Sequence, residues 1–325
     1  MSQLQGFALV GDVGGTNARL SLVNLADGSL SNTKIYSSVD NESLEKVVVK
    51  YREETGAKFD SACIAIACPL NGDYIKMTNN PWEFSISQMK SNLGLKDLVF
   101  INDFTAMSMA TIAIDKKDMD KIGGGDADPN AAKAIYGAGT GLGVGYLIKV
   151  GSKWVPISSE GGHVDIAPTN DRQDAIVKNL RTKFDHVSGE RLLSGQGLVN
   201  VYKAVAEING HEVKDVEPKD VTGGAFKENP CPDCVETMEV FCELMGSFGG
   251  NLAVNVLAKG GVYIAGGIVP RFADYFKKSA FRANFDAKGR YKEIVEKIPV
   301  YLIECSDAGL LGAGAYIRQE LGAEY

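Results

Sequence analysis

One pattern constrains this chain more than any other: a short apolar run opens into a glycine-rich turn and returns as a second run, and this happens twice. Phe7-Ala8-Leu9-Val10 leads into Gly11-Asp12-Val13-Gly14-Gly15-Thr16-Asn17, after which Ala18 to Asn24 alternates as a strand does. Ala134-Ile135-Tyr136 leads into Gly137-Ala138-Gly139-Thr140-Gly141, followed by the strand-like Val144 to Val150. Laid over one another, the copies match Ala8 with Ala134, Gly11 with Gly137 and Gly15 with Gly141. Such a repeat at long spacing predicts two domains of similar topology facing each other. The loop Gly123-Gly124-Gly125-Asp126-Ala127-Asp128-Pro129 is the expected surface connection near their boundary.

A turn with little side-chain bulk lets backbone N–H groups approach an anion closely. Thr16 and Thr140 add hydroxyl donors at matching places. Neither copy is GxxxxGK[ST], which excludes a P-loop, and neither is a GxGxxG opening a helix, which argues against a dinucleotide fold. The competing explanation is a pair of tight hairpins whose glycines supply positive φ. Two copies, each with a threonine, favour phosphate binding.

The remaining chain alternates strand and helix patterns, so the fold class is α/β. Ser61 to Ala67 reads as a buried strand stopped by Pro69, and Leu98-Val99-Phe100-Ile101 as another that ends in Asn102-Asp103. Phe104 to Ile114 suits a buried helix. A long helix is expected over Val235 to Ala258, from Phe241, Leu244, Met245, Phe248, Leu252 and Val256 at helical spacing, with Lys259-Gly260-Gly261 ending it. Gly246, Gly249 and Gly250 cost helix propensity, so close packing should compensate there. Val262-Tyr263-Ile264-Ala265 then forms a strand opening into Gly266-Gly267-Ile268-Val269-Pro270.

Charge and cysteine usage exclude several classes. A net charge of −7 leaves no electrostatic footprint for nucleic acid. The start, Met1-Ser2-Gln3-Leu4-Gln5, has no signal-peptide character, and no apolar run reaches the ~18 residues of a membrane span. Six cysteines among 325 residues are too sparse for a secreted disulfide scaffold, so the expected compartment is a reduced cytoplasm. Cys63 and Cys68 flank an apolar run and should pack as small hydrophobes. Cys231-Pro232-Asp233-Cys234 lacks the second ligand pair of a zinc site and a thioredoxin-like setting, so it reads as two thiols at a helix start, without assigned function.

Three places could carry chemistry. Asp12 sits in the first glycine turn, where one carboxylate, directly or through water, suffices for magnesium when phosphates supply the other ligands; the alternative is an Asx-turn. Asn102-Asp103 ends a buried strand and starts a helix, the end at which open α/β sheets bind ligands. A carboxylate there can accept the proton of an attacking hydroxyl, or it can be a helix N-cap, and the dipeptide alone leaves both open. The third place is Ser158-Ser159-Glu160-Gly161-Gly162-His163-Val164-Asp165, with His186 to Glu190 further on. Glu and His near flexible backbone suit a polyol, and the alternative is a polar loop with a helix cap. As a metal site, Glu160-x-x-His163 lacks a partner motif.

Together these segments resemble the bacterial glucokinase family within the sugar kinase, Hsp70 and actin superfold. The resemblance runs from Leu9 almost to the C-terminus. It is carried by Gly11 to Leu20, Ile64-Ala65-Ile66-Ala67-Cys68-Pro69, Met77-Thr78-Asn79, Ile101 to Ala106, Tyr136 to Gly143, Glu160 to Asp165 and Ile264 to Arg271. It implies a two-domain, actin-like or hexokinase-type (ribonuclease H-like) fold with a central cleft, the small domain at 1–112 plus about 304–325 and the large one at 113–303. It implies an ATP- and Mg2+-dependent kinase that phosphorylates the glucose 6-hydroxyl at the entry to glycolysis. Asp103 resembles the family's base. Asn102, Glu160, His163 and Glu190 resemble the positions that hold the other sugar hydroxyls. Gly11, Asp12, Val13, Gly14, Gly15 and Thr16 resemble the first phosphate loop, Gly139-Thr140-Gly141 the second, and Gly266-Gly267 the turn beside adenosine. A homodimer is the family expectation.

Two departures are visible. Val164 to Asp174 holds no cysteine where the repressor-and-kinase branch has a zinc cluster, so no structural zinc is expected. Asn79-Asn80-Pro81-Trp82 differs in detail from the family pattern, which bears on Asn80 as a sugar contact. Two other functions remain in view. One is a kinase for fructose or an N-acetylhexosamine. The other is a sugar-sensing regulator without turnover, against which count Asp103 and a first strand that starts by Phe7 without an N-terminal DNA-binding module.

Overall fold

The structure is a computed structural model that describes residues 4–78 and 80–325. Asn79, part of one family-like motif, and the first three residues of the N-terminal segment lie outside the described residues. The described residues divide into two compact units, one within 4–119, 147–158 and 305–325 and one of 120–146 and 159–304.

In the first unit the strands are β1 (Phe7–Val13), β2 (Asn17–Asn24), β3 (Leu30–Ser37), β4 (Ser61–Ile66), β5 (Tyr74–Lys76), β6 (Glu83–Ser85) and β7 (Asp97–Asn102). Five of them form a sheet of order β3-β2-β1-β4-β7, while β5 and β6 pair as a separate hairpin. β1 runs antiparallel to β2 but parallel to β4, and β4 parallel to β7. A strand between two parallel neighbours needs both faces covered. Hence β4 reads Ser-Ala-Cys-Ile-Ala-Ile with every residue buried. Ala62, Ile64 and Ile66 join Leu44, Val47, Val48 and Tyr51 of the helix Leu44–Thr55 in one core cluster. Cys63 and Ala65 join Ala106, Leu310, Ala313 and Ile317 of the helices Asp103–Ala110 and Ala308–Glu320 in another. These two helices pack so closely that a Cβ on Gly312 would collide with the Ala106 carbonyl. Within 147–158, Gln319 brackets Trp154, accepting its N–H and donating to its carbonyl at 2.8 Å each.

The second sheet contains β8 (Met119–Gly123), β9 (Lys133–Ala138), β10 (Leu142–Val150), β11 (Lys153–Ser159), β12 (Val262–Ala265) and β13 (Val300–Ile303), in the order β11-β10-β9-β12-β13-β8. Its first five strands repeat the first sheet position by position. β1 sits between β2 and the parallel β4, and β9 between β10 and the parallel β12. Gly11 lies opposite Ile64, and its repeat mate Gly137 opposite Ala265. The duplicated sequence pattern is therefore a duplicated strand topology.

The long helix spans Pro232–Val256 and forms much of the second core. All three of its interior glycines are accounted for by neighbours. A Cβ on Gly246 or Gly250 would collide with the carbonyls of Phe281 or Phe285, and one on Gly249 would lie 2.5 Å from the Tyr136 hydroxyl. The helix ends earlier than Lys259-Gly260-Gly261. Leu257 takes the left-handed cap conformation at φ 47°, at a cost of about 1 kcal/mol for a residue with a Cβ. The two glycines instead let the chain pass close to the start of β9, where Gly260 N–H donates to Ala132 O at 3.0 Å.

Candidate active site

The first unit brings its chemical residues to the carboxyl ends of three parallel strands. Val13, Ile66 and Asn102 lie at one level, because Val13 pairs with Ile66 and Ile66 with Asn102. Asn102 is the N-cap of the helix Asp103–Ala110, its Oδ1 accepting the Phe104 N–H at 2.9 Å. Asp103 is the first helical residue, and its Oδ1 accepts the same N–H at 2.9 Å. The capping position that could have explained Asp103 thus belongs to Asn102. Burial pushes the Asp103 carboxyl up to about 6, and the Asp12 charge adds to the rise; hydrogen bonds from Phe104 and Asn102 oppose it. A carboxyl near 6 can take a proton at neutral pH and return it to solvent.

Asp12 faces Arg19 across the β1–β2 pair. Burial raises its carboxyl and the Arg19 guanidinium lowers it, burial being the larger effect. Space beside it depends on Gly309, where a Cβ would lie 2.8 Å from Asp12 Oδ2. Arg19 itself is tied to the start of the helix Ala308–Glu320, donating to the Ser306 carbonyl and the Asp307 carboxylate. Its Nε–H is buried without a protein acceptor.

The turn from Gly14 to Thr16 closes a tight hairpin, with Gly14 N–H donating to Asn17 O at 3.0 Å. The positive-φ glycines of the chain lie elsewhere, so Gly14, Gly139 and Gly141 are not present for left-handed backbone. A Cβ on Gly14 or Gly139 would meet nothing within 4 Å. Neither backbone conformation nor packing therefore demands glycine at these two positions. Open backbone at a turn is what a phosphate needs. Asn80 is buried and spends its side chain on this loop, Nδ2 donating to Gly14 O at 3.2 Å and Oδ1 accepting Trp82 N–H at 3.0 Å.

In the second unit, Gly139 N–H donates to Gly141 O at 2.8 Å, which draws the turn Gly139-Thr140-Gly141 tight and leaves Thr140 exposed. Glu160 precedes the short helix Gly161–His163, and Glu190 lies in the short helix Gly189–Arg191. Glu190 Oε2 accepts the Leu142 N–H at 2.9 Å, and a Cβ on Gly141 would lie 2.5 Å from the same oxygen. Gly162 is required by packing, since a Cβ there would collide with Leu142 O. His163 and Glu190 line one cavity of about 450 Å³, together with Ser188, His186, Lys183 and Arg191. His186 Nε2 lies 2.9 Å from the His163 carbonyl and Nδ1 3.4 Å from Asp165, which fixes the loop that carries His163. At the end of β12, Gly266 has φ 85° and packs on Ala138, whereas a Cβ on Gly267 would meet nothing within 4 Å. A further cavity of about 360 Å³, lined by Asp126, Asp128, Lys259, Glu293 and Lys297, holds none of the residues expected to bind sugar, phosphate or metal.

Sequence reasoning missed Lys183, Arg191 and the anchoring of His163 by His186. Arg181, Lys183 and Arg191 flank His186 to Glu190, and that density of cations beside the polar cluster was the available signal.

The comparisons with known proteins cover nearly the whole chain. A family model described as Glucokinase matches residues 9–320. A glucokinase of Yersinia enterocolitica is 52% identical over 319 residues, covering 98% of both chains. Among solved structures, a glucokinase from an Antarctic psychrotroph is 32% identical with a TM-score of 0.92, over 97% of this chain and 100% of that one. A glucokinase from Balamuthia mandrillaris, solved with glucose, is 20% identical with a TM-score of 0.75, over 98% and 95%. At that identity the last likeness concerns the fold alone.

Proposed function

The chain belongs to the glucokinase family and phosphorylates glucose with ATP, and from that premise we propose how its residues divide the work. The observation that carries the assignment is the place of Asp103, at the carboxyl ends of the strands and first in a helix whose N-cap is Asn102, with burial raising its carboxyl to about 6 so that it is mostly ionised at neutral pH. Asp103 takes the proton from the attacking glucose 6-hydroxyl as its oxygen bonds to the γ-phosphorus of ATP. No covalent enzyme intermediate is needed, so the chain's task is positioning and charge stabilisation. Asn102, Glu160, His163 and Glu190 hold the other hydroxyls. The cavity that brings His163 and Glu190 together supports this reading for that pair.

Gly11 to Thr16 and Gly139 to Gly141 carry the phosphates on backbone N–H groups, supported by the open space above Gly14 and Gly139. Gly266 and Gly267 leave room for the adenosine. Magnesium fits the donors present. Asp12 is a half-buried carboxylate that repels Asp103, and among the described residues no group of three or more His, Cys, Asp or Glu forms a cage of its own. Asp12 would hold the ion directly or through water, with the phosphates as its other ligands, and the bound ion would neutralise charge on the transferred group. Six free thiols support a reducing cytoplasm as the place of work, at the entry to glycolysis. The working assembly is taken as a homodimer on the general frequency of two-fold oligomers.

An ADP-release assay across glucose, fructose, mannose and N-acetylglucosamine tests the assignment. Glucose should give the highest kcat/KM and turnover should stop without Mg2+. A higher kcat/KM for another sugar would overturn the substrate assignment.

A further inference from the structure

The Cys231-Pro232-Asp233-Cys234 segment has no part in the chemistry above, yet its local structure is specific. Cys231 is the N-cap residue of the 25-residue helix Pro232–Val256, and Pro232 occupies the first helical position. Cys231 is half-buried, whereas Cys234, one turn on, is 5% exposed. Both press on Gly224, in the helix Pro218–Phe226. A Cβ at Gly224 would lie 2.8 Å from Cys234 Sγ and 3.8 Å from Cys231 Cβ. Cys231 N–H donates to Gly224 O at 2.9 Å, which fixes the first cysteine to the same residue. Asp233, between them, is turned away and held at 2.9 Å by Asn209 Nδ2 and His211 Nδ1.

We propose that Cys231 and Cys234 form a reversible redox site, a dithiol that closes to an intrachain disulfide by exchange with a small-molecule disulfide. A reachable cysteine at a helix start with a buried partner three residues on is the arrangement of thiol–disulfide centres. Residues so spaced have Cβ atoms about 5–6 Å apart in a helix, and a disulfide needs about 3.5–4.5 Å. The remaining shift falls to Cys231, which lies outside the helix. Burial and the Cys231 contact push the Cys234 thiol up to about 12, so it remains protonated until a neighbouring sulfur is ready to be attacked.

The exchange balances as follows. The Cys231 thiolate attacks one sulfur of R–S–S–R and expels RS⁻, giving a mixed disulfide. Cys234 loses its proton to solvent and attacks Cys231 Sγ, expelling the second RS⁻. The cysteines lose two electrons, R–S–S–R gains them, and the two protons end on the two RSH molecules.

The test uses the full chain and oxidised glutathione. After incubation, free thiols are blocked with a maleimide under denaturing conditions and the peptides are weighed. The peptide holding Cys231 and Cys234 should lose two hydrogens and escape labelling at both sites, and dithiothreitol should restore both. In Cys234→Ser a lasting glutathione adduct on Cys231 is expected, because no second thiol remains to expel it. Full labelling of both cysteines in the oxidised wild type would overturn the proposal, as would a glutathione adduct that persists there. The wild-type measurement decides even if the variant fails to fold.

Discussion

Replacing Asp103 by asparagine should make the free protein more stable at alkaline pH, and the magnitude follows from the raised carboxyl. The side chain goes from an ordinary value of 3.8 to about 6 in the folded chain. At 1.36 kcal/mol per pH unit that is about 3 kcal/mol, a ceiling that partial exposure reduces to about 1–3 kcal/mol. The sign is fixed by which state holds the proton more tightly. The folded chain does, so this contribution to stability is fully present below 3.8 and is lost as pH rises through about 6. At about pH 8 the wild type holds a half-buried carboxylate that feels the Asp12 charge, and an asparagine of the same shape can still accept the Phe104 N–H through Oδ1. Urea midpoints followed by tryptophan fluorescence should therefore favour Asp103→Asn by about 1–3 kcal/mol at about pH 8, the gap closing toward zero near pH 3.5. A gap that does not vary with pH, or a variant less stable than wild type at about pH 8, would refute the reasoning.

Other substitutions separate packing from ligand binding. Gly14→Ala and Gly139→Ala should leave the urea midpoint within about 0.5 kcal/mol and raise the KM for ATP, because the added methyl meets only the space assigned to phosphate. Gly137→Ala should instead lower stability by about 1–3 kcal/mol, since its methyl would collide with the Ala265 carbonyl. His163→Ala should raise the glucose KM and leave that for ATP unchanged. Glu190→Ala should raise both, because it also leaves the Leu142 N–H beside the second glycine turn without its acceptor. Initial-rate kinetics with each substrate varied in turn distinguish these patterns.

The parts legible in the sequence were those whose physics is local. β4 and β12 are buried along their whole length, so apart from Ser61 and the Tyr263 hydroxyl their residues are apolar and stand out. The glycine turns stood out because two copies share their spacing. What stayed hidden depends on residues distant in sequence. Glu190 reaches the amide of Leu142 across 48 positions, and Gly162 and Gly312 answer to single carbonyls on other elements. Asn102-Asp103 could not reveal which residue caps its helix, because either side chain can accept the Phe104 N–H and here both do. The long helix ends before the glycines at 260 and 261 for a related reason: Leu257 adopts a conformation for which glycine is the usual signal.

The central claim is that Asp103 accepts the proton of the glucose hydroxyl, and a steady-state ADP-release assay on Asp103→Asn tests it most directly. The account predicts a kcat about 10²–10⁴-fold below wild type with a glucose KM changed little, and a wild-type kcat/KM that falls as pH drops through about 6. A variant that keeps wild-type kcat would contradict it.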